Sequence, residues 1–86
     1  MYYVYMLKSK SVKPVTYVGY TNNLKKRISL HNSSKGAKFT RGRNWMLIYK
    51  EKFKSKKEAI SSDYYIKKNR KLRNDIKNEN SNFITF

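Results

Sequence analysis

Tyr17-Val-Gly-Tyr-Thr-Asn-Asn-Leu-Lys-Lys-Arg-Ile-Ser-Leu-His31 decides the fold, because it passes from strand to helix in one stretch. It opens on the aromatic and β-branched strand end Thr16-Tyr17-Val18 and turns at Gly19. Thr21, Asn22 and Asn23 can each cap the free N–H groups of a helix start. Leu24 and Ile28 then sit four apart, the spacing of a helix that packs on a core, and Arg27 and His31 sit four apart beside them. At about 100° per residue, Arg27 and His31 share one flank of the Leu24/Ile28 stripe, at the edge of the core where Tyr17 leaves the strand. A tyrosine, an arginine and the only histidine of the chain therefore converge.

Upstream, Tyr2 to Leu7 carries aromatic and aliphatic side chains on both faces, the pattern of a central strand covered on two sides. A polar turn from Lys8 to Pro14 leads to a second strand, Val15 to Tyr20, so the first two elements form an antiparallel hairpin. A helix from about Asn22 to Asn32 follows.

Downstream, Ser33 to Arg43 is a glycine-punctuated basic loop. It is either a solvated surface loop or a phosphate-contacting one, with Phe39 stacking on a base or pinning the loop to the core. Trp45 to Phe53 is a third strand, with Trp45, Leu47, Tyr49 and Glu51 on one side and Met46 and Ile48 on the other. Ser55-Lys-Lys-Glu58 is a capping-box pattern that starts a second long helix. Its apolar sector holds Ala59, Ile60, Tyr64 and Ile66, with Asp63 in the middle and Lys67 beside it. A carboxylate on a core face needs a partner, because an unpaired buried charge costs several kcal/mol. Either an ion pair with Lys67 or an arginine satisfies it, or it is a metal-binding or catalytic group facing a cleft. From Asn69 a short basic helix runs through Arg70, Leu72, Arg73 and Ile76. We read residues 1–78 as one domain and residues 79–86 as a tail, whose Phe83-Ile84-Thr85-Phe86 either docks on the core or stays loose.

The 86 residues carry a formal charge of +16, with 30% charged side chains. A lysine-favouring codon bias accounts for part of such an excess; a polyanion partner, phosphate above all, accounts for it functionally. Eight tyrosines distinguish the chain from a disordered basic tail. Without cysteine there is neither a disulfide framework nor a thiolate metal site. No apolar run approaches the ~20 residues of a membrane span, and the start lacks the basic lead-in and cleavage site of a signal peptide. These features predict a cytoplasmic protein with no membrane association; a monomer or weak dimer is expected.

The ordered series Tyr3-Val4-Tyr5, Tyr17-Val18-Gly19, Thr21 to Arg27 with His31, Lys35 to Arg41, and Glu58-Ala59 with Asp63 to Lys67 resembles the GIY-YIG endonuclease superfamily, in its small single-domain form. The likeness extends from about residue 2 to residue 77. It implies an α+β fold, a three-stranded antiparallel sheet flanked by helices in the order β-β-α-β-α-α. It also implies a cleft that cuts phosphodiester bonds with one divalent ion, Mg²⁺ or Mn²⁺.

By position, the resemblance assigns Tyr5 or Tyr17 to activation of the attacking water and Arg27 to the scissile phosphate. His31 matches a position that orients or deprotonates a catalytic tyrosine. Asp63 stands where the family has its metal-binding glutamate, shorter by one methylene, and Asn74 matches a late asparagine of some relatives. Lys25, Lys35, Lys38, Thr40, Arg41, Arg43 and Lys67 complete the expected nucleic-acid contacts. With no recognition helix, zinc module or second domain, specificity is expected to come from the shape of the nucleic acid. The expected function is a structure-selective or weakly sequence-specific DNA endonuclease in repair, recombination or mobile-element processing. The alternative is a basic module that binds DNA or RNA with little or no catalysis.

Overall fold

The most apolar strand takes the centre of the sheet. In the computed structural model, which describes residues 1–79, the order is β2-β1-β3, fully antiparallel, with β1 Tyr2–Ser9, β2 Thr16–Thr21 and β3 Trp45–Phe53. The expected first hairpin is present, pairing Tyr5 with Gly19 and Leu7 with Tyr17. Ser9 closes its turn, its N–H donating to the Val15 carbonyl at 2.9 Å and its hydroxyl accepting from the Val15 N–H. The tail from Phe83 to Phe86 lies outside the described residues.

Alternation along β1 divides the core in two. Val4 and Met6 face Val18, Ile48, Ala59, Ile66 and Ile76, the side covered by α2 (Lys56–Lys68) and α3 (Arg70–Glu79). Tyr5 and Leu7 face Leu24, Ile28, Trp45 and Leu47, the side covered by α1 (Leu24–Asn32). The expected α+β architecture is the one observed, with two differences in detail.

Strand β3 does not keep one alternation along its length. A bulge shifts its register between Met6 and Leu7, so that Met6 pairs with Tyr49, Leu7 with Leu47, and Ile48 is the extra residue. Trp45 and Leu47 stay on the α1 side, but Tyr49 and Phe53 move to the α2 side. The expectation that Tyr49 and Glu51 share the Trp45 face is therefore corrected.

On α2, Ser55 caps the helix as the motif predicts, its hydroxyl accepting from the Glu58 N–H. The buried face, however, is Ala59, Asp63 and Ile66, while Ile60 and Tyr64 point outward. The sheet accepts only a narrow stripe at i, i+4 and i+7, and the Ile60–Tyr64 pair falls outside it. Arg73 from α3 donates to the Ile66 and Lys67 carbonyls, closing the C-terminal end of α2. Asn69 caps α3 through its side chain, which accepts from the Leu72 N–H.

Candidate active site

Where β2 turns past β1, the two motif tyrosines leave no room for a side chain between them. A Cβ on Gly19 would stand 2.6 Å from the Tyr5 hydroxyl oxygen and 3.1 Å from the Tyr17 ring. Glycine is required here by close approach. The Tyr5 and Tyr17 rings lie 6.4 Å apart between centroids, and Tyr17 lies 4.9 Å from the His31 ring.

Asn23, among the three candidate caps, starts α1 by accepting from the Lys26 N–H. Two turns later the helix delivers His31, fully buried, between two hydroxyls. Its Nδ1 lies 2.8 Å from Thr40 Oγ1 and its Nε2 lies 2.8 Å from the Tyr5 hydroxyl. The Thr40 hydroxyl proton is already given to the Ala37 carbonyl, also at 2.8 Å. Thr40 therefore accepts from Nδ1–H, which leaves Nε2 as a lone pair that accepts the Tyr5 O–H. Burial, assisted by the charge of Arg27, pushes the His31 pKa down to about 4, so the ring is neutral and fit for that role. Burial pushes the Tyr5 phenol up to about 12, with Arg27 pulling in the opposite direction.

The loop after α1 builds this arrangement. Gly36 passes directly over the His31 ring, where a Cβ would collide with Nδ1. Trp45 donates from its indole nitrogen to the Thr40 carbonyl at 3.0 Å, fixing the 3₁₀ turn Lys38–Thr40 against the sheet. Asn32 brackets the Trp45 backbone, accepting from its N–H at 2.6 Å and donating to its carbonyl at 3.3 Å. Thr40, expected among the phosphate contacts, is fully buried and holds His31 instead. Sequence reasoning missed the supporting roles of Gly36, Asn32 and Trp45. The one available signal was the Gly-x-x-x-Thr spacing after the histidine.

Arg27 reaches the same place from the flank of α1, where the Tyr5 hydroxyl raises the pKa of its guanidinium further. Tyr5, Tyr17, Gly19, Tyr20, Arg27, Asp63 and Lys67 line a cleft of about 280 Å³ along the β2 edge, between α1 and α2. Tyr5, Tyr17, Arg27 and Asp63, expected as site residues, thus meet in one cleft, with His31 behind them. Asp63 is 7% exposed. Its Oδ2 pairs with the Lys67 ammonium at 3.1 Å, whereas its Oδ1 is buried with no hydrogen-bond partner. An ion pair on one oxygen and an open position on the other are thus both present.

The orphaned oxygen fits a hard divalent cation, which takes oxygen donors and keeps several waters, so that one carboxylate can anchor it. Among the described residues no three acidic or histidine groups gather into a fuller cage.

Lys25, Lys35, Lys38, Arg41 and Arg43 are exposed on α1 and the following loop, and Asn74 is exposed on α3. Of the two expectations for Phe39, the structure shows the pinning of the loop to the core. It stacks on Tyr17 at 6.4 Å and 21° and touches Trp45, yet remains half-exposed with the Arg43 guanidinium 5.5 Å above its ring. Beside it a second groove of about 240 Å³ is lined by Thr16, Tyr17, Val18, Phe39, Lys67 and Arg73. Among the described residues no helix is long and apolar enough to cross a membrane.

Paired tyrosines around a glycine, an arginine and a histidine from the next helix, and a carboxylate from the second long helix come together at this cleft, and the chain that forms it belongs to the GIY-YIG catalytic domain family. A model of that domain matches residues 1–80. Among relatives, the UPF0213 protein CPE1444 of Clostridium perfringens is 51% identical, with 93% of this chain and 92% of that protein covered. A UPF0213 protein of Streptococcus pneumoniae is 34% identical, covering 98% of this chain and 87% of its own length. The solution NMR structure of the UPF0213 protein BH0048 from Bacillus halodurans superposes with a TM-score of 0.51 at 38% identity, over 94% of this chain and 88% of that one. The family is that of a nuclease superfamily, which implies a nucleic-acid substrate.

Proposed function

We propose that the protein is a divalent-metal-dependent endonuclease that hydrolyses single phosphodiester bonds in DNA of particular shape, with little sequence preference. The observation that carries this is the set of three groups on one cleft: a tyrosine hydrogen-bonded to a buried neutral histidine behind it, an arginine, and a carboxylate with one unpartnered oxygen.

Tyr5 donates its O–H to His31 Nε2, so the phenol oxygen turns its lone pairs toward the cleft. There they accept a hydrogen bond from a water and orient its oxygen toward phosphorus. Tyr17, on the same wall and less buried, bounds the water's position. Arg27 grips two non-bridging phosphate oxygens with its planar fork and stabilises the charge that grows on them. The water oxygen forms the new P–O bond as the P–O bond to the departing sugar oxygen breaks in line. The water's proton passes to the Tyr5 oxygen while Tyr5 gives its own to His31 Nε2, and the sugar oxygen takes up a proton from bulk water. Asp63 would hold the cation, Mg²⁺ or Mn²⁺, through Oδ1, and the bound ion would supply Lewis-acid stabilisation of the phosphoryl oxygens. Lys25, Lys35, Lys38, Arg41 and Arg43 carry the flanking phosphates, and the exposed Phe39 ring offers a face to a base.

The experiment is cleavage of supercoiled plasmid and of branched or flapped DNA, in Mg²⁺, Mn²⁺ or chelator, beside Tyr5→Phe, Tyr17→Phe, Arg27→Ala and Asp63→Asn. Metal-dependent nicking lost in Arg27→Ala and Asp63→Asn is the expected result. One observation favours a second reading, a basic nucleic-acid-binding module: the Asp63 carboxylate is already engaged by Lys67. Binding without cutting in any metal, unaltered by Asp63→Asn, would establish that reading instead.

A further inference from the structure

Lys67 stands at the junction of the two grooves, lining both the Tyr5/Arg27/Asp63 cleft and the Phe39/Arg73 groove. Its side chain is about half-exposed, while that of its partner Asp63 is 10% exposed. We propose that Lys67 is an exchangeable cation: it neutralises Asp63 at rest and passes to a phosphate of the nucleic acid when a divalent ion takes the carboxylate. The proposal rests on the reading above that Asp63 is the metal ligand.

Three features carry it. The pair is an i, i+4 contact on one helix face, a class of ion pair whose contribution is small enough to be exchanged. The bond leaves Oδ1 buried and unpartnered, so a divalent ion on Asp63 satisfies an oxygen that Lys67 leaves open. Finally, an ammonium and a divalent ion on one carboxylate repel, and the long lysine stem lets the ammonium leave without moving α2. The displaced ammonium meets Arg27 in this cleft and Arg73 in the neighbouring groove, both cationic, and an incoming anion gives it a new partner. Metal and phosphate therefore favour each other through Lys67, and the coupling is reciprocal.

Mn²⁺ binding to the free protein, read by electron paramagnetic resonance, tests this without any activity. Lys67→Met is expected to bind Mn²⁺ about two- to fivefold more tightly than the wild type, the worth of the removed ion pair, and Lys67→Arg to return toward wild type. A salt titration of binding to a phosphorothioate duplex gives a second readout. With Mn²⁺ present the wild type should show a steeper slope than Lys67→Met by about 0.9, one phosphate contact, and without metal the two slopes should agree. Lys67→Met binding Mn²⁺ no more tightly than the wild type, while Asp63→Asn binds poorly, would overturn the exchange alone. Asp63→Asn binding Mn²⁺ as tightly as the wild type would overturn the metal reading itself.

Discussion

With one histidine in the chain, the loss of stability between pH 7.5 and 5.5 can be traced to a single ring. His31 is neutral in the fold down to a pKa of about 4, against 6.5 in the unfolded chain. Below pH 6.5 the unfolded chain therefore binds a proton that the folded protein refuses, so stability is complete above that pH and falls as pH drops toward 4. The full displacement corresponds to roughly 3 kcal/mol, of which about 1 is lost by pH 5.5 and most by pH 4.5. Urea unfolding at pH 7.5, 5.5 and 4.5, followed by circular dichroism, measures it. His31→Gln should be less stable at pH 7.5 by about 1–3 kcal/mol, because the Tyr5 and Thr40 hydroxyls lose good partners. Its stability should nevertheless fall less steeply between pH 7.5 and 5.5. Equal slopes for the two proteins in that window would refute the assignment of a buried, neutral His31.

The remaining predictions concern the groups around that ring. Gly36→Ala forces a methyl into His31 Nδ1 and should lower stability by about 1–3 kcal/mol, read as a fall in Tm, whereas Gly42→Ala, with open space around it, should show only the smaller strain of its positive φ. Thr40→Val keeps shape but strips the acceptor from His31 Nδ1–H; a loss of about 1–3 kcal/mol of stability with unchanged DNA affinity of the folded variant is expected, and a weakened affinity would return Thr40 to the phosphate contacts. Arg27→Ala should reduce nicking by about 10²–10³-fold while leaving most DNA binding in place, measured by gel cleavage beside a filter-binding isotherm.

Much of the architecture was legible because local signals agreed with the tertiary outcome. The two-sided apolar pattern of Tyr2–Leu7 marks a central strand, and that strand pairs on both edges. Asn23 and Ser55 sit where capping chemistry places them, and Asp63 falls on a buried face as the helical projection requires. What escaped depends on contacts distant in the chain. The bulge at Ile48 is set by pairing with β1, and no alternation within Trp45–Phe53 announces it. Thr40 reads as one polar residue in a basic loop until Trp45 and Ala37 fold it onto His31. Ile60 and Tyr64 are apolar by type, yet the stripe that meets the sheet is too narrow to reach them.

Tyr5 belongs to the strand that holds both of its neighbours, and its ring is part of the core. The usual division, a rigid frame carrying a loosely held working surface, does not apply to it. Local opening releases edges and loops first, and the centre of a three-stranded sheet last. The phenol is thus lost only when the whole domain is lost. Amide exchange at Tyr5 should occur at the rate of global unfolding, and a variant that weakens the sheet anywhere along β1 shortens the working lifetime of the site by the same factor.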